Sequence, residues 1–142
     1  MRYCAYQERC KADIVKKMKA WEQDSKEIED AIEFLVLEGF VDDFRFAASY
    51  VRGKLRSKKW GRNKIRAGLY AKQLDKECIE AAFGELDTEE YENQLLSVLK
   101  KKNDQLREDD PYKRKQKLAY YAQSKGYELN LIWDKIGIII NK

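Results

Sequence analysis

The 142 residues include no histidine, a single proline and seven glycines, and each shortage closes off a class of protein. Histidine is the commonest general base at neutral pH and the commonest metal ligand, so its absence removes most familiar hydrolytic mechanisms and any imidazole metal site. Cys4, Cys10 and Cys78 are odd in number and form no C-x-x-C pair; they indicate neither a disulfide framework nor a zinc site, and fit reduced thiols in a cytoplasm. No N-terminal stretch couples a basic start to a long apolar run. The longest apolar tract, residues 136–140, is far below the roughly 20 residues that a spanning helix needs. Neither a glycine-rich phosphate loop nor a convergent nucleophile–base set occurs. The expectation is a cytoplasmic chain that is not an enzyme, holds no metal and no cofactor, and spans no membrane.

What is present favours helices. Hydrophobic residues make up 44% and charged residues 38%, enough to bury a core and to coat helices with polar faces, and the few turn-formers argue against sheets. The stretch 41–55, VDDFRFAASYVRGKL, organises the rest. Asp42 and Asp43 stand where one of them caps a helix starting near residue 43. Phe44, Ala47, Ala48, Val51 and Leu55 fall at the spacing of a buried face, and Arg45, Arg52, Arg56 and Lys59 form a second, solvated stripe. Asp24 with Glu27 reads as a capping box, Gly39 as a helix end in the left-handed region, and Pro111 behind Asp110 as a helix start.

The chain also repeats itself. A shift of 51 residues pairs Ile14 with Ile65, Met18 with Leu69, Asp24 with Asp75, Ile28 with Ile79, Ala31 with Ala82 and Leu35 with Leu86. A shift of 53 pairs Ile65 with Leu118, Lys72 with Lys125, Ile79 with Ile132 and Phe83 with Ile136. The implied architecture is all-α: three tandem three-helix repeats, 1–40, 41–86 and 87–142, forming an elongated curved body. The expected helices are 2–9, 11–21 and 25–38; 43–59, 62–72 and 76–86; and 88–106, 111–125 and 128–139. Residues 136–140 are β-branched enough to suggest a strand, but a lone strand would have nothing to pair with, so helix is preferred. Residues 100–110 read as a frayed helix end and a loop.

The net charge of +4 sits mainly in the middle third. Arg52, Lys54, Arg56, Lys58, Lys59, Arg62, Lys64 and Arg66 place eight cations in fifteen residues without an acid, with Trp60 among them. Such a cluster attracts phosphates, and an aromatic ring inside it can stack on an exposed base; Trp60 stands equally as a core residue. The candidate binding set is therefore Arg45, Arg52, Lys54, Arg56, Lys58, Lys59, Trp60, Arg62, Lys64 and Arg66. A second basic group, Lys100, Lys101, Lys102, Arg107, Lys113, Arg114, Lys115 and Lys117, is interleaved with acids and reads as a solvated face. Of Tyr120 and Tyr121, at least one is expected to pack.

The run Asp42-Asp43-Phe44-Arg45-Phe46-Ala47, then Tyr50-Val51, the basic stretch, Ile65, Leu69 and the helix over 79–86 resembles the RecX family of bacterial recombination regulators. Residues 3–9, Tyr-Cys-Ala-Tyr-Gln-Glu-Arg, resemble its first helix, and Lys125-Gly126-Tyr127 the closing turn of its third repeat. Cys10 departs from the usual Ser or Thr cap, and Glu22 and Gln73 from the usual helix-ending Gly, so those ends are expected to fray. The resemblance implies three three-helix repeats and a modulator of the RecA recombinase, lodged in the groove of its filament on single-stranded DNA; the chain itself is expected to be a monomer. A helical module that binds nucleic acid without RecA is the competing reading.

Overall fold

The computed structural model describes residues 10–21, 23–39 and 41–140, and these are helical throughout, with no strand. The helices are α1 (Lys11–Ala20), α2 (Ser25–Leu37), α3 (Asp43–Gly53) continuing as a π-helical turn over Lys54–Lys58, α4 (Arg62–Ala71), α5 (Lys76–Gly84), α6 (Thr88–Gln105), α7 (Pro111–Ser124) and α8 (Leu129–Ile139). The expected helix 2–9 and the expected frayed end at Glu22 lie outside the described residues. Residues 136–139 are helix, not strand, because Ile132 and Ile136 bury one turn apart.

Aspartates start the helices. Asp24 accepts from the Glu27 N–H at 2.8 Å, Asp42 from Arg45 at 3.1 Å, Asp87 from Glu90 at 3.2 Å, and Asp110, ahead of Pro111, from Tyr112 at 2.9 Å. Cys10 makes no side-chain cap for α1, yet that end does not lack an acceptor: Asp43 takes the Lys11 N–H at 3.0 Å. The expected weakness at Cys10 is thus met from outside the helix. Gly39 and Gln73 both adopt left-handed φ, +77° and +61°, so the helix end at Gln73 carries the strain that a non-glycine residue meets there.

Two expectations about the central stretch need correction. The α-helix does not run to residue 59; it stops at Gly53 and widens into the π turn, closed by the Trp60 N–H on the Lys54 carbonyl at 3.2 Å, with Lys59 left-handed at φ 58°. The 3.6-residue stripe from Arg45 to Lys59 is therefore broken at its far end. The buried face is also rotated. Phe44 is 52% exposed, whereas Phe46, Ala47, Val51 and Leu55 are buried. Phe46 stands against Tyr50 with ring centroids 6.0 Å apart, and burying that pair leaves Phe44 at the edge of the face.

The chain divides into two compact units. The first takes the chain up to Arg52 with Gly68–Glu85. Its apolar centre includes Ile14, Leu35 and Val41 with Met18 and Ile32 packed against them, and Leu69 and Ile79 are fully buried. An ion pair between Lys72 Nζ and Asp13 Oδ1, 2.8 Å, and the Cys10 thiol donating to the Lys72 carbonyl at 3.7 Å tie the start of α1 to the end of α4. The second unit takes Gly53–Ala67 with Leu86–Lys142. Leu95 and Leu99 of α6, Leu118 and Ala122 of α7, and Ile132 and Ile136 of α8 are buried one turn apart on each helix.

Candidate functional site

Eight of the ten candidate residues, Lys54, Arg56, Lys58, Lys59, Trp60, Arg62, Lys64 and Arg66, belong to the second unit, and Arg45 and Arg52 to the first. In the second unit a backbone contact holds the basic segment to the turn between α7 and α8. The Gly61 N–H donates to the Lys125 carbonyl at 2.7 Å and the Asn63 N–H to the Gly126 carbonyl at 2.9 Å. A Cβ on Gly61 would run into the Gly126–Tyr127 backbone, and one on Gly126, whose φ is +100°, into Lys64. Both positions need glycine because two backbones touch there. Tyr127, buried below, donates its hydroxyl to the Lys59 carbonyl at 2.8 Å and accepts from Gln94 Nε2 at 2.9 Å, which secures the left-handed residue at the tip of the segment.

Arg62 is anchored rather than presented. Its backbone N–H donates to the Tyr91 hydroxyl at 2.9 Å, its guanidinium lies 4.2 Å from the centre of the Tyr91 ring, and Nε stands 3.1 Å from Glu128 Oε2. The Tyr91 hydroxyl in turn donates to Glu128 Oε1 at 2.6 Å. Burial, followed by that hydrogen bond to a carboxylate, pushes the Tyr91 hydroxyl far above the ordinary tyrosine range; burial raises Tyr127 as well. Arg45, in the first unit, donates from Nη2 to the Gly39 carbonyl at 2.9 Å and closes the end of α2. Arg52, Arg56, Lys58 and Lys59 are exposed, and Arg66 is half-buried.

Trp60 is half-buried, with two ammonium groups on its ring: Lys54 Nζ at 4.9 Å and Lys64 Nζ at 4.7 Å from the centroid. Neighbouring Lys125 has its pKa lowered, first by burial and then by the positive charges of Lys64 and Lys101. Lys125 also lies 5.8 Å from the centre of the Tyr121 ring, and Lys102 lies 4.7 Å from it. The cations of the basic segment thus come near Lys125, at the end of α7, and Lys101 of α6, which sequence patterning assigned to a solvated face. Nothing in the sequence pairs Gly61 with Gly126, so nothing there brings Lys125, Lys101, Lys102 and Tyr121 to this surface. Tyr120 is 76% exposed and Tyr121 half-buried, so the expected packing falls to Tyr121 alone.

Two further members of the second basic group are engaged within the fold. Arg114 donates to the carbonyls of Asn103, Leu106 and Glu108 and to Asn103 Oδ1, at 2.7 to 3.1 Å, closing the end of α6 and the loop after it. Lys117 pairs with Glu108 at 2.8 Å. Among the described residues no group of histidine, cysteine, aspartate and glutamate is arranged to hold a metal ion, and no helix is long and apolar enough to cross a membrane.

Consecutive helices carrying a basic surface, with aromatic rings set among its lysines, define an all-helical repeat protein. Residues 42–82 match the model of the RecX second three-helix domain and residues 89–136 that of the third, together more than half of the chain. A regulatory protein RecX of Clostridium botulinum (strain Eklund 17B / Type B) is 37% identical over 126 residues, covering 87% of this chain and 58% of that protein. One of Clostridium tetani is 32% identical over 121 residues, covering 84% and 53%. The crystal structure of a regulatory protein RecX superposes with a TM-score of 0.84 at 27% identity, covering 92% of this chain and 65% of that one. RecX from Lactobacillus salivarius superposes at 0.86 and 21% identity, covering 95% and 88%, a likeness of fold. The chain belongs to the RecX family, a family of regulatory proteins, and spans little more than half the length of the curated relatives it matches.

Proposed function

We propose that this chain is a non-enzymatic regulator that acts in the cytoplasm as a monomer, binds the RecA filament on single-stranded DNA, and inhibits or tunes its recombinase and co-protease activities. In this reading residues 1–40, 41–86 and 87–142 act as three three-helix repeats, and the candidate residues contribute to binding except Arg45 and Arg62, which the protein's own groups hold. The observation that carries it is the gathering of lysines from separate stretches of the second unit: Gly126 sits against Lys64, and Lys125, whose pKa is lowered first by burial, also feels the positive charges of Lys64 and Lys101. Holding like charges together on a folded scaffold raises the free energy until an anion joins them, which supports a polyanionic partner. A filament of protein on DNA offers one.

The test is ATP hydrolysis by RecA on single-stranded DNA with and without the protein, together with binding to the filament and to bare strands at equal salt. A regulator prefers the filament by tenfold or more, about 1.4 kcal/mol, and suppresses hydrolysis. Equal affinity for bare strands with hydrolysis unchanged would instead make it a DNA-binding helical module acting without RecA.

A further inference from the structure

The outward face of α8 breaks the pattern kept by the helices that the sequence shifts pair with it. Under the shifts of 51 and 53 residues, Ser25, Glu29 and Glu33 of α2 correspond to Lys76, Glu80 and Gly84 of α5, and these to Leu129, Trp133 and Gly137 of α8. Residues four apart lie on one side of a helix, so each triplet is one stripe. All nine residues are exposed. In α2 and α5 the stripe is polar or glycine, so the fold does not ask for an apolar residue there. In α8 the exposure stays and the chemistry changes: Leu129 is 46% and Trp133 41% exposed. The helix meets its own packing needs elsewhere, against α6 and α7, by burying Ile132 and Ile136. At Gly137 a Cβ would meet nothing within 4 Å, which leaves a gap at the end of the stripe.

We infer that two copies of the free chain pair through this stripe, with their α8 helices antiparallel and Trp133 meeting its counterpart at the twofold axis. The order of the residues selects a second copy. Leu129 stands four residues before Trp133 and Gly137 four after, so an antiparallel twofold sets each Leu129 against the gap at the other copy's Gly137. A parallel arrangement would set leucine against leucine and leave both gaps empty. The stripe carries no charge, so the twofold brings no like charges together within it. The exposed Asp134 is turned about 100° around the helix from Trp133. An aromatic centre without charged residues is the composition of an interface core. This pairing goes beyond the reading of the chain as a monomeric regulator on the filament and concerns the free protein; by mass action, a filament that takes up monomers draws on the pairs.

The experiment is sedimentation equilibrium of the full chain over about a hundredfold range of concentration, with neither RecA nor DNA present. The wild type should pass from monomer to dimer as the concentration rises. Leu129→Lys with Trp133→Glu installs the residues that α5 carries in register. That variant should stay monomeric throughout, with the circular dichroism and melting of a folded chain. Gly137→Leu adds apolar surface but fills the gap, so it should weaken pairing about tenfold or more, whereas indiscriminate apolar association would be strengthened. A wild type that stays monomeric across the range overturns the pairing and leaves the stripe to another protein. A dimer that survives Leu129→Lys with Trp133→Glu, or that Gly137→Leu strengthens, overturns it as well. None of these measurements involves RecA, so failure of the pairing leaves the regulator reading standing.

Discussion

Asp42 and Asp43 are adjacent in the chain and serve different helices. Asp42 caps α3 through the Arg45 N–H, while Asp43 reaches the first N–H of α1, whose own cap position is occupied by Cys10. Asp42→Ala and Asp43→Ala should each lower stability by about 1 kcal/mol in a denaturant melt, and only Asp43→Ala should increase hydrogen exchange at the start of α1. Phe46 and Phe44 divide in the same way between inside and outside. Phe46→Ala should cost about 3–5 kcal/mol by leaving a cavity, and Phe44→Ala no more than about 1 kcal/mol. Equal midpoints for the two variants would reverse the face assigned to α3. Tyr91 and Tyr127 add a pH dependence whose sign is fixed. Both hold their protons more tightly folded than unfolded, so their contribution is fully present below the unfolded tyrosine pKa of about 10 and is lost as pH rises through the folded values. Lys72, raised by its hydrogen bond to Asp13, acts in the same direction. Denaturant midpoints should therefore fall from about pH 9.5 upward, and Tyr91→Phe should flatten that fall while lowering stability near neutrality.

At the scale of elements, the basic segment is positioned by contacts that are mostly backbone. The π turn over Lys54–Lys58, the left-handed Lys59 and the docking of Gly61 on Gly126 place Trp60 beside Lys54 and Lys64 and set Lys64 against Gly126. Gly126→Ala would need a left-handed conformation and would collide with Lys64 at once. It should destabilise by on the order of 1–3 kcal/mol, and partner affinity should fall with it even at temperatures where circular dichroism shows a folded chain. Arg114 is the counterpart at the other end of α6. Arg114→Ala leaves three backbone carbonyls and Asn103 Oδ1 without their donor, which should cost roughly 2–3 kcal/mol. Lys113→Ala, one residue away and exposed, should be nearly neutral, and thermal melts of the two variants compare them directly.

For the whole molecule, charge placement is the quantity that matters. Lys64→Glu with Lys101→Glu and Lys125→Glu reverses the cations that meet on the second unit, and should abolish most partner affinity and flatten its dependence on salt. Arg52→Glu with Arg56→Glu and Lys59→Glu should do less, because the π turn breaks the stripe those three residues would share on a continuous α-helix. Log affinity against log salt concentration gives the slope for each variant, and a steeper loss from the second set would return the binding surface to the central helix.

The sequence by itself determined the helices and their starts. Apolar spacing is a local signal, and aspartate caps act within three residues, so α1 to α8, the caps at Asp24 and Asp110 and a cap at one of Asp42 and Asp43 could be read before any contact was known. The repeat register was legible for the same reason: Ile65, Leu118, Ile79 and Ile132, paired by the shifts along the chain, are all fully buried. The basic run over residues 52–66 was visible as composition. What only the tertiary structure decided was which cations stand together and which are already engaged. Arg45, Arg62 and Arg114 bind the protein's own carbonyls and carboxylates, while Lys64 stands on Trp60, Lys102 and Lys125 stand on Tyr121, and Lys125 feels the charges of Lys64 and Lys101. That sorting depends on a contact between two glycines far apart in the chain and on a π turn that rephases a helix. Neither leaves a periodic mark, because a backbone-to-backbone contact requires only the absence of a side chain.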